Sequence, residues 1–230
     1  MTLYSLQVLT HVSLGTFALA TFWIAGLSKK GSPVHKAAGK IYLLAMAGLT
    51  LVALPLSLRI AFGGNPIGGA FFLYLWVITV TGVWTSWRAI RDKRDWLRYT
   101  GAVYRGFMWL NLISALAIAV VGLVFAKQMQ LIIVAFSGIG LLTFKGMWQL
   151  SRQRPTDPRW WLREHLNAMI GNGVATHIAF LSIGLPRLLP MLDGQTLRTL
   201  AWLGPLTLAF VAGSSLTRKY LPKKPVPGLE

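Results

Sequence analysis

Apolar residues run through this chain in long blocks, broken by short clusters rich in Lys, Arg, Gly and Pro. A membrane-spanning helix needs roughly 20 mostly apolar residues at ~1.5 Å rise each. Seven blocks meet that length, at about 4–27, 40–62, 68–87, 106–126, 129–149, 164–188 and 197–217. The connections between them are too short for a separate soluble domain. The pattern therefore predicts a single all-α membrane domain over residues 1–230, a polytopic helical bundle.

Local signals refine the elements. The first block ends at Gly26 to Lys30, and Ser32-Pro33 restarts a helix. Ser caps a helix start, and Pro suits the first turn because its missing N–H is unpaired there anyway. This puts His35 in the opening turn of the second helix. Pro55 should bend that helix, and Arg59 and Lys145 should snorkel from their helix ends. Residues 87–106 mix basic and aromatic side chains and predict an interfacial turn leading into the fourth span. The sixth span carries His165, Asn167, Asn172, Thr176 and His177 together with Gly171 and Gly173. Polar groups in hydrocarbon need partners and small residues let helices approach, so this helix should lie inside the bundle.

Composition agrees with lipid as the main solvent: 54% of residues are hydrophobic, 13% are charged and mean hydropathy is +0.56. A soluble domain needs more surface charge. Net charge is +17, and its distribution sets an orientation. Nineteen Lys and Arg residues fall near the first, third and fifth connections and the C-terminal tail, against four on the opposite side: Arg59, Lys127, Arg187 and Arg198. The positive-inside rule places the N-terminus outside and the C-terminus in the cytoplasm, as an odd number of spans requires. The basic residues are spread over short connections beside lipid, which favours anionic headgroups as their partner and excludes a nucleic-acid surface. Trp23, Trp84, Trp87, Trp148, Trp160 and Trp161 crowd the same side as an interfacial belt. Cysteine is absent, which excludes disulfides, thiolate metal sites and thioether-attached haem. The first block lacks a basic leader and a small-residue cleavage site, so it reads as a retained span. Leu229-Glu230 has the form of a cloning remnant.

The candidate chemistry is histidine. His11-x-x-x-Gly15 and His35-x-x-x-Gly39 share one frame, and His165 and His177 lie in the sixth span. Counted from the ends of the blocks, His11 lies roughly 10 Å in and His177 roughly 12–16 Å in, on antiparallel helices. That predicts an outer layer of His11 with His177 and an inner layer of His35 with His165. Two imidazoles at one depth can hold a metal ion or both faces of a haem iron. A glycine one turn along clears space for a flat ligand beside each ring. The alternative is that Gly15 and Gly39 are packing sites and the histidines bond to neighbouring helices. Proton or quinone handling is a third possibility. His165, Met169, Asn172 and Thr176 share a helix face, whereas His177 points elsewhere. Glu164, between Arg163 and His165, is expected to form an ion pair. No Ser-His-Asp set, phosphate loop or H-E-x-x-H motif is present.

His11-x-x-x-Gly15-x-x-x-Leu19, followed by His35-Lys36-x-x-Gly39-Lys40-x-Tyr42, resembles a family of predicted bacterial integral membrane proteins of unknown function. Trp161 to Gly171 resembles that family's E-H-x-x-x-M segment. The chain departs from the family in the third connection, where many members carry a histidine and this one has none between 43 and 164. The resemblance implies a multi-pass protein of the bacterial cytoplasmic (inner) membrane and points to His11, His35 and His165. Two functional classes follow from the residues. One is a histidine-centred intramembrane site for b-type haem or a metal ion serving electron transfer. The other is a transporter or membrane-complex assembly subunit whose histidines serve packing or proton movement.

Overall fold

The computed structural model describes residues 2–127 and 129–221; Lys223, Lys224 and Leu229-Glu230 lie outside them. Eight helices follow in order: α1 Leu3–Leu27, α2 Pro33–Phe62, α3 Pro66–Arg91, α4 Trp96–Tyr99, α5 Ala102–Val124, α6 Gln130–Arg152, α7 Trp160–Leu188 and α8 Gly194–Tyr220. All except the single turn α4 are long and apolar enough to cross a membrane. The protein is a multi-pass membrane protein built as an all-α bundle.

Helix starts follow the expected chemistry. Ser32 accepts from the His35 amide at 3.2 Å with Pro33 in the first turn. Asn65 and Asp193 cap α3 and α8 in the same way. The helices are longer than their apolar blocks, because the polar and basic turns at their ends remain helical. The 87–106 stretch holds the end of α3, the turn α4 and the start of α5.

Helices α3 and α7 form the centre. Helices α1 and α2 pack on one side of them, α5 and α6 on the other, and α8 runs along α7. Close approach of α3 and α7 depends on Gly82: a Cβ there would stand 2.5 Å from Asn172 Oδ1. Asn172 and Thr176 are buried as expected, and the Thr176 hydroxyl pairs with Tyr42 at 3.3 Å. Asn167, expected inside, is exposed. It lies only two turns into α7, on a helix face that no neighbouring helix covers. Asn111 of α5 reaches across to Thr81 of α3 at 2.8 Å and also donates to its own Phe107 carbonyl.

The two ends of the bundle differ. One end gathers the turn at 28–32, the α3–α4–α5 turns, the α6–α7 connection and the end of α8, and is called the basic end below. There α4 seats Tyr99, fully buried, against Trp84, Tyr104 and Trp160. Trp84 and Trp160 therefore belong to a packed aromatic cluster, while Trp148 stacks with Arg152 and Trp161 lies beneath Lys93. At the opposite end Arg59 lies over the Tyr4 ring, 4.7 Å from its centre.

Candidate functional site

The histidines occupy two regions of different construction. Away from the basic end, His177 of α7 faces α1. The Trp23 indole donates to His177 Nε2 at 3.0 Å, and His177 Nδ1 donates to the Gly173 carbonyl at 2.7 Å. An indole nitrogen only donates and a carbonyl only accepts, so the ring carries its proton on Nδ1. Both nitrogens are thus occupied. Phe22 closes the third side, its ring centre 5.4 Å from that of His177. Phe22 fits there because residue 173 is glycine; a Cβ would meet its ring at 2.5 Å.

These contacts fix the register of α1 on α7. Phe22 faces Gly173 and Gly15 faces Phe180. By the same register, His177 lies level with Ala18, and His11 lies seven residues further along, roughly 10 Å away at the helical rise. The outer layer of His11 with His177 is therefore not formed as one layer. Counting depth from each helix end misled because α1 projects beyond α7. Beside Gly15 the Phe180 Cε2 lies at ordinary van der Waals distance, 3.8 Å, from where a Cβ would stand. Gly15 is a packing position. His11 Nδ1 is buried with no hydrogen-bond partner among the described residues.

At the basic end the arrangement is open. His35 Nδ1 bonds to the Ala25 carbonyl of α1 at 2.9 Å. His165 Nδ1 bonds to the Ser86 carbonyl of α3 at 3.1 Å. Each carbonyl requires the proton on Nδ1, which leaves both Nε2 atoms as acceptors. Neither Nε2 has a hydrogen-bond partner among the described residues. Four helices thus converge on the pair: α2 and α7 supply the imidazoles, while α1 and α3 hold them. A Cβ at Gly39, one turn along from His35, would meet nothing within 4 Å. His35 and His165, expected as an inner layer, are each held at this end by the carbonyl of a neighbouring helix.

Glu164 departs from expectation. It forms no ion pair with Arg163, which is exposed; instead it accepts from the Tyr99 hydroxyl at 3.2 Å. Adjacent residues on a helix point about 100° apart, and burial directs Glu164 inward. Burial first, and then the Glu164 carboxylate, hold the Tyr99 phenol well above its ordinary range, so it remains a donor. Asp92, at the same end, is more deeply buried and pairs with Arg88 and, at 3.6 Å, with Arg98. Neither Tyr99 nor the two carbonyls was visible as a site component in the sequence. A tyrosine inside a basic, aromatic turn gives no signal of its own, and backbone acceptors are set by helix register alone. No group of three or more His, Asp or Glu side chains suited to a metal ion gathers among the described residues.

No family model, curated protein or solved structure matches this chain.

Proposed function

We propose that this chain is a protein of the bacterial cytoplasmic membrane, C-terminus inside, whose function centres on His35 and His165. The reading is electron transfer through a b-type haem or a related group ligated by these imidazoles. One observation carries it: both rings are fixed through Nδ1 to backbone carbonyls, and both Nε2 atoms are left without partners. That is how ligating histidines are held, since the outer bond sets the tautomer and raises the basicity of the free nitrogen. Two imidazoles from His35 and His165 would suffice as the protein ligands of a haem iron but would be only half of those that a tetrahedral metal ion takes. The donor set therefore fits haem better than a bare ion. Open space at Gly39 fits a flat group lying beside His35. Such a group would supply one-electron chemistry, and the chain's part is to hold the rings, exclude water and set the charge around them. Membership of the family resembled by the His-x-x-x-Gly motifs is part of the same proposal.

Glu164 and Tyr99 support a second reading, proton movement in a transporter or assembly subunit. A carboxyl and a phenol sit in contact beside His165, and ionisable groups in membrane helices are functional candidates. The absorption spectrum of the purified full-length protein separates the two. Haem ligation predicts a Soret band that His35→Ala and His165→Ala each abolish and His11→Ala and His177→Ala retain. A colourless protein that contains no iron overturns the haem reading. In that case a pH-dependent transport or assembly defect in Glu164→Gln is the expected finding.

A further inference from the structure

Helices α1 and α8 both pack on α7, and no extended contact joins them to each other among the described residues. At the basic end the gap widens into a cleft of about 560 Å³ between the end of α1 and the end of α8. Gly26, Leu27 and Leu216 supply its apolar wall, and Lys29, Lys30 and Lys219 its rim. Leu27 is 80% exposed, so the wall is open to the surroundings of the bundle. A Cβ at Gly26 would meet nothing within 4 Å, so α1 leaves this space open.

The rim is electrostatically unusual. None of its three lysines lies within salt-bridge distance of a carboxylate among the described residues, whereas Arg88, Arg98 and Arg159 do. Lys30 is held in place rather than free: its ammonium donates to the Ala25 carbonyl at 3.1 Å and to the Gly26 carbonyl. Partial burial, and then the neighbouring Lys219 ammonium, hold Lys30 below its ordinary range. Like charges fixed side by side repel, and an anion between them converts the repulsion into attraction.

We propose that this cleft is a specific site for the phosphate headgroup of an anionic phospholipid. Lys30 and Lys219 bind the phosphate, Lys29 screens it, and the acyl chains run along the α1–α8 seam past Leu27 and Leu216. A lipid suits the cleft better than a soluble anion because the cationic rim joins an apolar wall at headgroup level, where juxtamembrane lysines attract acidic lipids. The site borders the histidine pair, since the Ala25 carbonyl that holds Lys30 also accepts from His35, but its cationic rim uses neither histidine.

Native mass spectrometry of the full-length protein in detergent doped with phosphatidylglycerol or phosphatidylcholine tests the site. One phosphatidylglycerol should be retained preferentially. The double variant Lys30→Gln with Lys219→Gln should lose that retention roughly tenfold or more, given the contribution of each lysine near a charged surface. The double variant Arg94→Gln with Arg154→Gln removes as much charge from exposed positions at the same end and should change it less than about twofold. Equal retention of phosphatidylcholine overturns the proposal. An equal loss in the arginine variant does so too, because it means diffuse surface charge. If glycerol phosphate or inorganic phosphate displaces the lipid at comparable concentration, the site belongs to a soluble anion and the lipid assignment fails.

Discussion

The two His-x-x-x-Gly frames of this protein look alike in sequence and are built for different ends. Around Gly15 the neighbouring helix sets Phe180 in van der Waals contact with the position of the missing side chain. Nearby, His177 has both ring nitrogens spoken for and Phe22 packed against its edge. Around Gly39 a Cβ would meet nothing within 4 Å, and His35 and His165 each keep one nitrogen without a partner among the described residues. A histidine with a nearby glycine is thus not a unit with one meaning. What the neighbouring helix places opposite the glycine decides between a closed packing joint and an open ligand position.

The most decisive way to break this comparison is spectroscopic. If His177→Ala abolishes a Soret band and His35→Ala retains it, the assignment of closed and open regions is inverted. Nearly as large an effect comes from topology. A reporter active only in the cytoplasm, fused at the C-terminus, should give full signal, because nineteen basic residues crowd that end. Signal from a periplasm-only reporter would put the open histidine pair on the outer face.

A graded test sets one glycine against another. Gly173→Ala should destabilise the protein by about 1–3 kcal/mol, since its Cβ would meet the Phe22 ring and a packed helix joint must shift. Gly39→Ala should instead stabilise by up to about 1 kcal/mol, through helix propensity with no clash. Thermal unfolding in detergent reads both. Gly39→Leu adds a discriminating outcome: it should leave the fold intact and empty the site. A fully retained Soret band in Gly39→Leu would move the flat ligand away from that face.

Much of the fold was legible because lipid imposes simple rules. Apolar block length counted the spans, and basic residues marked one end. Ser32-Pro33 marked the start of α2 and placed His35 in its first turn. His35 and His165 both lie in the opening turns of their helices, so their placement at the basic end needs no fine measure of depth. The outer pair was misread because depth was counted from ends that are not level. Only the interlocking of Phe22 with Gly173 and of Gly15 with Phe180 sets the slide of α1 along α7. Such side-chain matching between distant residues leaves no periodic trace. The same holds for Glu164. Its sequence neighbours suggested an ion pair, while its actual partner, Tyr99, comes from a single helical turn 65 residues away.

The smallest expected effect bears on the closed region. The Trp23 indole and His177 Nε2 form a side-chain hydrogen bond between α1 and α7. Pairs of this kind in membrane proteins contribute roughly 0.6 kcal/mol and at most about 1.7. A double-mutant cycle with Trp23→Phe and His177→Leu isolates the coupling, because each single change also alters packing against Phe22 and those changes cancel in the cycle. Residues in direct contact should show a coupling energy near that range, measured by chemical unfolding. A coupling of zero would mean that Trp23 contributes nothing by holding the ring. His177 Nε2 would then be as available as the two nitrogens at the basic end, and the distinction between a closed and an open histidine region would have to rest on Phe22 and Phe180 alone.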